Sequence, residues 1–414
     1  MTGHESPVSA PHMRPFGDVI SIEAARDIVR TSAVPLSRLD RVSLYEARNR
    51  VVACDVVAAD DVPPFARAAM DGYAVRAADT HAASRSQPAT LRLIEEIFTG
   101  HVPAAAVGPG ECSKIATGAP LPAGADAVVM VEETEIAVDG TIRIFLGVRP
   151  SQHVGPQGAD IRAGQAVLRR GDVLTASRIG ALAALGHSEV DVFAKPRVAI
   201  LSSGDEIIVP GRRLGPGQIY DVNRYTLSAV ISEHGGIPVP YGTARDTLAD
   251  LTSAVDAALA EDCVVASGGS SVGERDLIVD VVSTRGEVRF HGIAVKPGKP
   301  TLFGLVNGKP IFGMSGYPTS CLVNAYILVV PLLRTLANLP PFVPRRLALP
   351  LASRVRSAPG RHQFLTVRVA EGLAFPVFKG SGDITSMSQA DGYVEIPANV
   401  EKVETGQMVE VIFF

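Results

Sequence analysis

Residues 196–339 alternate short apolar runs with segments of helical periodicity, and this alternation limits the possible folds more than any other feature of the chain. The pattern predicts a parallel β-sheet covered by helices on both faces. Ligands of such sheets bind outside the carboxyl ends of the strands. The predicted strands lie at 197–201 and 263–266 and near 288, 302 and 311, and the predicted helices lie at about 223–234 and 246–260 and begin near 276 and 319. Asp246 is predicted to cap the second of these helices.

A turn rich in glycine and serine follows the strand predicted at 263–266. The turn, SGGSSVGERD at 267–276, contains three glycines and three serines just before a segment of helical periodicity. It would present free backbone N–H groups, and glycine lets an anion approach them closely, so phosphate is the first ligand to expect. An ordinary loop is the alternative, because serine and glycine are common loop residues. The candidate anion-binding residues are Ser267, Gly268, Gly269, Ser270, Ser271 and Gly273.

Two lysines lie on a stiff proline frame further along the chain. Residues 296–300 have the sequence Lys-Pro-Gly-Lys-Pro. Two ammonium groups held near a nest of amides would match the charge of a tetrahedral oxyanion. Lys296 and Lys299, with Gly298 between them, are therefore predicted to hold oxyanions, and solvated surface lysines are the alternative.

Length and composition exclude several classes of protein. At 414 residues the chain is too long for one compact core, and its net charge of −4, lack of Trp and 5% aromatic content argue against nucleic-acid binding. The cysteines lack zinc-ligand spacing and are predicted to be reduced. Residues 1–16 lack the apolar core of a secretory signal, and the longest apolar run, 321–333, is interrupted and shorter than a membrane span. We therefore expect a cytoplasmic protein without nucleic-acid or membrane partners.

The segments on either side of the alternating region predict further domains. Short β-type runs with many glycines and prolines fill residues 58–155, whereas 20–55 and 156–194 are more helical. Residues after about 341 alternate apolar and polar positions, which indicates a terminal β-barrel or sandwich. The predicted fold class is multidomain, α/β plus β.

Polar, glycine-bearing segments recur where extended runs end. Each alone favours a simple turn or loop. In chain order they are PPFARAAMDGYAV (63–75), TGAPLPAGADAVV (117–129), GADI (158–161), SSGDE (202–206), GQIYDVN (217–223), SGGSSVGERD (267–276), KPGKP (296–300) and GYPTS (316–320). Their combination and order resemble the molybdopterin molybdotransferase family, the MoeA-type proteins to which the enzymatic domain of gephyrin belongs.

The resemblance implies four domains in an elongated homodimer. Residues 1–57 and 156–194 would form a discontinuous helical linker and dimerisation domain, and 58–155 an inserted β-rich domain with the MDGYA motif. Residues 195–340 would form a MogA-like, molybdopterin-binding α/β domain, and 341–414 a C-terminal β-barrel. The active site would lie between the α/β domain of one subunit and the MDGYA-bearing domain of the other.

The resemblance also implies a reaction, in which adenylyl-molybdopterin and molybdate yield molybdenum cofactor and AMP with the help of Mg²⁺. Splitting a phosphoanhydride requires neutralisation of charge that develops on phosphate oxygens, which a divalent cation and lysines can provide. Glu206, Asp246 and Asp276 are suitable Mg²⁺ ligands, although this ion usually takes only one or two protein carboxylates. Helix-capping or solvated carboxylates are the alternative. A pterin adenylyltransferase and apo-molybdoenzymes are the implied protein partners.

Further site residues come from the resemblance alone. It implicates Asp71, Thr117 and Asp160 near the bound substrate, and Arg361 and Ser381 as contacts of molybdate. Together with the three carboxylates and the two lysines above, the first three make up the predicted catalytic set. The loop that would border the pterin contributes Ser315, Gly316, Pro318 and Ser320.

Two departures from the family pattern leave a second hypothesis open. Ser315 replaces a proline of the usual Leu-Pro-Gly-Asn-Pro-Val-Ser loop, and Ala159 replaces a glutamate of the GEDI-type motif. An active molybdenum insertase is the first hypothesis, and a carrier or scaffold that binds the pterin without turnover is the second. A pterin adenylyltransferase is a third, although such proteins lack the MDGYA domain.

Overall fold

A computed structural model describes residues 19–268 and 277–414 of the chain. The chain divides into two compact units. The first comprises Met1–Asp40, Asn49–Val51 and Val192–Phe414, and the second comprises Arg41–Arg48 and Val52–Asp191. The four domain boundaries given above stay a prediction.

Local sequence signals account for where several helices begin. Ser21 caps the first helix, Thr175 the second and Thr247 the fourth, each by accepting a hydrogen bond from a backbone N–H of the first turn. The α-helices of the described residues are α1 (Ile22–Ser32), α2 (Ala176–Ala184), α3 (Asn223–Glu233), α4 (Leu248–Ala258), α5 (Leu277–Arg285), α6 (Pro318–Asn324), α7 (Val330–Leu336) and α8 (Thr385–Ser388).

Short β-strands make up much of the remainder of both units. In the first part of the chain they are β1 (Leu39–Ser43), β2 (Val56–Val57), β3 (Arg67–Ala68), β4 (Gly72–Val75), β5 (Ala89–Ile97), β6 (Glu111–Ile115), β7 (Ala127–Met130), β8 (Thr134–Ile136), β9 (Ile142–Ile144), β10 (Val154–Gly155), β11 (Ala166–Leu168) and β12 (Glu189–Phe193). The later strands are β13 (Arg197–Ser203), β14 (Ile207–Ile208), β15 (Ile219–Tyr220), β16 (Ile237–Ala244), β17 (Cys263–Ser267), β18 (Glu287–His291), β19 (Val295–Lys296), β20 (Leu302–Val306), β21 (Lys309–Met314), β22 (Arg346–Pro350), β23 (Val355–Arg356), β24 (His362–Ala370), β25 (Leu373–Pro376), β26 (Gly392–Ile396), β27 (Lys402–Val403) and β28 (Met408–Phe413).

The first unit is built around a six-stranded sheet of order β16-β13-β17-β21-β20-β18. The first four strands run parallel, as the alternating pattern predicts, whereas β20 and β18 are antiparallel to their neighbours. The predicted parallel sheet is therefore corrected to a mixed sheet, with four parallel strands and two in antiparallel pairing. The connection between β20 and β21 is a short turn at Asn307–Gly308, and a turn of that length can join only antiparallel strands.

Strand β16 is absent from the predicted strands, because Pro238 and Pro240 interrupt its pattern. It lies at the edge of the sheet, where prolines are tolerated since one side of the strand needs no hydrogen-bonding partner. Apolar side chains of α1, α3, α6 and α7 pack on one face of this sheet, and those of α4 and α5 pack on the other. Helices therefore cover both faces, as predicted.

One long helical segment crosses the core of the first unit. Residues Pro318–Leu336 are long and apolar enough to span a membrane by length and composition alone, but 78% of the most apolar stretch is buried inside the protein, as in a core helix. A π-helical turn at Ala325–Val329 precedes Pro331. Proline lacks an N–H and cannot continue the regular ladder, so the wider turn accommodates it.

The C-terminal part of the first unit forms a second sheet, of order β19-β24-β26-β28-β22, with β25 also paired to β24. A bridge between Leu351 and Ala374 links the end of β22 to β25, so strand pairing also connects the two ends of the sheet. Its apolar side chains form a separate core. Strand β19 contains Lys296, so the lysine-bearing segment is part of this sheet.

The second unit contains a sheet of order β7-β4-β6-β5-β9-β8 and the pairs β10–β3 and β11–β2. Gly72 of the MDGYA motif begins β4, and a Cβ atom at this position would lie 1.8 Å from the carbonyl oxygen of Val129. Glycine is thus required there by the close approach of β4 to β7.

An ion-pair cluster connects α1 to the C-terminal sheet within the first unit. Arg26 Nη2 donates to Glu395 Oε1 at 2.9 Å, and His362 Nε2 lies 3.2 Å from Glu395 Oε2. Partial burial alone would raise the pKa of Glu395, but the contacts with His362 and Arg26 outweigh it and lower the pKa to about 2.

We expect Glu395→Gln to reduce the free energy of unfolding by roughly 2–3 kcal/mol at pH 7. Because the folded pKa of about 2 lies below the ordinary value of 4.5, this contribution is present above pH 4.5 and is lost as the pH falls toward 2. Urea denaturation of both proteins between pH 7 and pH 3 measures it. Glu410→Gln, which removes an exposed pair with Arg346, is the control and should cost less than about 1 kcal/mol. If the difference in free energy of unfolding between the original protein and Glu395→Gln did not become smaller toward pH 3, this account would be contradicted.

Candidate functional site

A cavity of about 1290 Å³ lies in the first unit, at the carboxyl ends of β13, β17 and β21. This is the edge of the sheet where the alternating pattern predicts a ligand site. The residues that line it are Ser202, Ser203, Glu206, Ile207, Leu214, Ile219, Tyr220, Asp221, Val222, Asn223, Asp246, Thr247, Leu248, Ser267, Gly268, Leu277, Pro300, Ser315, Gly316, Tyr317, Pro318, Gly382 and Ile384.

The polar end of the cavity is formed where neighbouring strands end in hydroxyl-bearing residues and glycine. Gly268 has φ +94°, and a Cβ atom there would lie 2.2 Å from the carbonyl oxygen of Ser203. Gly316 faces the same turn, since its Cβ would lie 3.6 Å from the Gly268 Cα. These close approaches bring the ends of three strands together, which a larger residue at 268 would prevent.

The remainder of the glycine-rich turn falls outside the residues that the structure describes. This applies to Gly269, Ser270, Ser271, Gly273 and Asp276. Their predicted roles in binding phosphate and Mg²⁺ therefore stay predictions, whereas Ser267 and Gly268 line the cavity.

Glu206 and Asp246 bring two carboxylates to the cavity. Asp246 remains accessible to solvent, but partial burial raises its pKa, and the negative charges of Glu206 and Asp205 raise it further, against a hydrogen bond with Ser203. The prediction that Asp246 caps the following helix is wrong. Thr247 is the N-cap of α4, because its hydroxyl accepts from Asp250 N–H, and Asp246 is left to line the cavity.

A buried aspartate that was not among the predicted site residues supports the cavity floor. Asp221 is 3% exposed, accepts from Ser202 Oγ at 2.7 Å and from the Arg224 backbone N–H at 3.1 Å, and lies 3.0 Å from Arg224 Nε. It therefore orients the hydroxyl at the end of β13. The GQIYDVN segment that contains it is part of the family resemblance, and this is the signal that could have identified it.

The loop after β21 is fixed by side-chain hydrogen bonds. Asn223 Nδ2 donates to the carbonyl oxygens of Ser315 (3.4 Å) and Gly316 (3.0 Å), and Tyr317 N–H donates to Ser315 Oγ at 3.2 Å. Ser315, which departs from the family pattern, thus takes part in ordering the loop. Gly316 and Pro318 line the cavity, whereas Ser320 is buried in α6 and is not among the described lining residues.

The lysine-bearing segment reaches the cavity through its last residue, Pro300. Lys296 lies in β19, opposite Gln363 of β24. Gly298 has φ +96°, and its carbonyl oxygen accepts from Asn324 Nδ2 at 2.8 Å. Neither Lys296 nor Lys299 is among the described residues that line the cavity, so their contact with oxyanions stays a prediction.

The C-terminal part of the first unit closes one side of the cavity. Gly382 and Ile384 are lining residues, and the Ser381 carbonyl oxygen accepts from Thr319 N–H at 3.1 Å. Thr319 Oγ1 donates to the carbonyl oxygen of Asp383 at 2.9 Å, which holds the segment against the start of α6.

Arg361 lies in the turn that precedes β24 and is exposed. Neither Arg361 nor Ser381 is among the described residues that line the cavity. Both predicted contacts with molybdate stay predictions.

Two hydrogen bonds tie down the predicted site segments of the second unit. Asp71 Oδ1 accepts from Thr117 N–H at 2.7 Å, which joins the MDGYA segment to the TGAP segment. The GADI segment pairs with the start of the PPFARAAMDGYAV segment, because Asp160 N–H donates to the carbonyl oxygen of Val62 at 3.0 Å. All three predicted side chains are exposed. Their role toward a substrate stays a prediction.

The donor set of the cavity is compatible with a divalent cation. Its described lining contains three carboxylates and no lysine or arginine. Asp221 is paired with Arg224, which leaves Glu206 and Asp246 for a cation. Among residues 19–268 and 277–414, no cluster of three or more His, Cys, Asp or Glu side chains has the arrangement of a metal site. Mg²⁺ needs only one or two protein carboxylates, together with water and phosphate oxygens, so Glu206 and Asp246 fit it.

Comparison with known proteins places the chain in a family. A model described as the MoeA N-terminal region (domain I and II) matches residues 20–186, a probable molybdopterin binding domain matches 199–335, and the MoeA C-terminal region (domain IV) matches 348–414. Molybdopterin molybdenumtransferase 2 of Mycobacterium tuberculosis is 35% identical over 381 residues, which cover 89% of this chain and 94% of the relative. The chain belongs to the MoeA family, as the order of its motifs predicts.

Further relatives agree with this placement. Molybdopterin molybdenumtransferase of Haemophilus influenzae is 36% identical over 320 residues, which cover 77% of this chain and 78% of the relative. The crystal structure of a MoeA molybdopterin biosynthesis protein from Pyrococcus horikoshii matches with a TM-score of 0.85 and 42% identity, covering 96% of this chain and 99% of that one. The multidomain MoeA-like architecture is therefore shown for this chain.

Proposed function

We propose that the chain is a molybdopterin molybdotransferase, a transferase of molybdenum cofactor biosynthesis. It would bind adenylyl-molybdopterin, Mg²⁺ and molybdate, and leave molybdenum on the dithiolene of the pterin as AMP is released. The observation that carries the proposal is the polar surface of the cavity, where the hydroxyls of Ser202, Ser203 and Ser267 and the backbone of Gly268 line the same space as Glu206 and Asp246. The names of the relatives from Mycobacterium tuberculosis and Haemophilus influenzae support the same reaction.

The cavity lining favours an anionic ligand that arrives together with a cation. Arg224 balances the charge of Asp221. Glu206 and Asp246 remain negative, and the described lining contains no lysine or arginine, so a phosphate group would be repelled without a counter-ion. Mg²⁺ bound to Glu206 and Asp246 would supply that charge and polarise the phosphoanhydride. The two carboxylates would hold the ion, and Asn223 would keep the loop after β21 in place.

The hydroxyl-bearing residues would orient the phosphate oxygens. Ser202 Oγ is fixed by its hydrogen bond to Asp221, and Ser267 lies at the end of the neighbouring strand. Gly268 would let a phosphate oxygen approach the backbone closely. Orientation and charge neutralisation are the chain's contribution, because the dithiolene and molybdate supply the bonding chemistry.

Several finer features belong to the same proposal. We expect Lys296, Lys299, Arg361 and Ser381 to contact molybdate, and Asp71, Thr117 and Asp160 to approach the substrate from a second subunit of a homodimer. A cytoplasmic location, a pterin adenylyltransferase that delivers the substrate and apo-molybdoenzymes that receive the product complete it. The family resemblance supports these features.

A carrier without turnover is the second candidate function, and the observations that favour it are the departures at Ser315 and Ala159. Against it, Ser315 Oγ accepts from Tyr317 N–H, so the altered loop is still held in a defined conformation. Ala159 lies on an exposed surface of the second unit.

Purified protein given adenylyl-molybdopterin and Mg²⁺ separates the two functions. We expect AMP release that depends on molybdate, measured by chromatography of the nucleotide. Tight pterin binding without AMP release would support the carrier. Consumption of ATP, when ATP and molybdopterin replace adenylyl-molybdopterin, would indicate an adenylyltransferase instead.

A further inference from the structure

An aromatic ring at the rim of the cavity has the properties of a ligand platform. Tyr317 lines the cavity, yet 64% of its surface is exposed. Large apolar surfaces left open inside a pocket are where ligands gain most of their burial. Among the described lining residues, Tyr220 is the other aromatic side chain, and its hydroxyl donates to the carbonyl oxygen of Arg212 at 2.9 Å.

The backbone of Tyr317 is fixed on both sides. Its N–H donates to Ser315 Oγ, and its carbonyl oxygen accepts from Cys321 N–H at 2.9 Å in the first turn of α6. Pro318 follows at the first position of that helix, where its fixed φ is favourable. Because the backbone is already fixed, only the two side-chain torsions of Tyr317 remain to be ordered when a ligand binds.

The ring also has a defined place against the C-terminal part of the first unit. A Cβ atom on Gly382 would lie 3.4 Å from Tyr317 Cδ1 and 3.8 Å from Cε1, so the ring passes close over this glycine. A Cβ atom at those distances would make ordinary van der Waals contact, so one edge of the ring lies beside residue 382. Gly382 and Ile384 line the cavity beside it.

The cavity lining therefore offers two kinds of surface. Hydroxyls, Gly268 and carboxylates supply polar surface, and aromatic and aliphatic surface comes from Tyr317, Tyr220, Leu214, Ile219 and Ile384. A ligand that joins a phosphate to a planar heteroaromatic ring matches both. Aromatic side chains bind such rings by stacking, a contact that tolerates different ring identities.

We propose that Tyr317 is a specificity-determining residue on which a planar heteroaromatic ring of the substrate stacks, with Ser315 as the residue that positions it. The inference rests on the proposed function, which supplies a substrate with two such rings, pterin and adenine. Stacking is the chemistry common to both rings, and the test distinguishes them.

The absence of Trp from the sequence allows a direct measurement. Tyr317→Trp keeps an aromatic ring and introduces the chain's single tryptophan. Titration with AMP and, separately, with 6-hydroxymethylpterin should quench the tryptophan fluorescence with one of the two ligands, which identifies the ring that stacks. Tyr45→Trp, at a fully exposed position of the second unit, is the control and should show no saturable quenching beyond that of free tryptophan.

Affinity measured by calorimetry provides the second readout. For the ligand that quenches, Tyr317→Leu should weaken binding roughly tenfold, within the range that one ring stack supplies, while Tyr317→Phe and Tyr317→Trp stay within about threefold of the original. Ser315→Ala should lower the affinity for the same ligand by about threefold. Tyr45→Leu should leave both affinities unchanged.

Quenching by neither ligand, or equal affinities for Tyr317→Leu and Tyr317→Phe, would overturn the proposal. If Tyr317→Leu does not fold, the fluorescence of Tyr317→Trp and the affinity of Tyr317→Phe decide the question. These measurements need neither molybdate nor turnover. Absent AMP release would therefore refute the proposed function and leave stacking intact, whereas unchanged affinities would refute stacking and leave AMP release intact.

Discussion

Asp246→Asn is expected to lower molybdate-dependent AMP release by about 100-fold or more. Asp246 and Glu206 are the carboxylates that fit Mg²⁺ in a cavity whose described lining contains no lysine or arginine. A neutral amide at this position would leave the cation with one charged ligand and the phosphates less neutralised. Steady-state AMP release at saturating Mg²⁺ measures the loss.

The same substitution should not destabilise the protein in the absence of metal. Asp246 lies near the negative charges of Glu206 and Asp205, so removing its charge relieves repulsion. The thermal midpoint of Asp246→Asn should therefore equal or exceed that of the original protein. Addition of Mg²⁺ should raise the midpoint of the original protein more than that of the variant, because an ion that binds only the folded state stabilises it.

Asp205→Asn is the matched control. Asp205 is exposed beside Glu206 and is not among the described lining residues, so AMP release should change by less than about threefold. Activity of Asp246→Asn within threefold of the original would contradict the assignment of this carboxylate to the cation. A large loss of AMP release with Asp205→Asn would show that the total negative charge near the cavity matters more than the position of Asp246.

Gly298→Ala is expected to destabilise the first unit by about 3 kcal/mol or more. Gly298 has φ +96°, and an added Cβ atom would lie 2.3 Å from Nδ2 of the fully buried Asn324. That nitrogen also donates to the Gly298 carbonyl oxygen and to Thr301 Oγ1, so it cannot move away without losing both bonds. Urea denaturation followed by circular dichroism measures the change.

Gly308→Ala separates the strain of a positive φ from the steric conflict with Asn324. Gly308 has φ +75° in the turn between β20 and β21, and a Cβ atom there would have no neighbour within 4 Å. Gly308→Ala should lower the free energy of unfolding by only about 1 kcal/mol, from backbone strain alone. Equal effects of the two substitutions would show that the contact with Asn324 is not what makes glycine necessary in the KPGKP segment.

The sequence was sufficient to predict three of the four parallel strands, β13, β17 and β21, and the edge of the sheet at which the cavity lies. The strand at 263–266 and the following glycine could be recognised because buried strands are continuous apolar runs and because an anion site needs exposed amides. The position of the cavity then follows from a general rule for such sheets. The family could also be recognised, because several weak motifs in a fixed order are specific together.

Other features depend on contacts between residues distant in the sequence, and no local pattern encodes them. The Tyr317 ring lies against Gly382, and Asp221 accepts from Ser202 across the end of a strand. The cap of α4 was assigned one residue too early, because aspartate and threonine are both good caps and adjacent here. Lys296 belongs to the C-terminal sheet through pairing with Gln363, which its local sequence does not indicate.

The most direct test of the account is a crystal of the protein soaked with AMP, Mg²⁺ and molybdate, with data collected at the molybdenum absorption edge. We predict nucleotide density in the cavity between Gly268 and Tyr317, with Mg²⁺ beside Glu206 and Asp246 and the anomalous molybdenum peak next to the nucleotide phosphate. Nucleotide and molybdenum bound together elsewhere on the protein, with this cavity empty, would contradict the account.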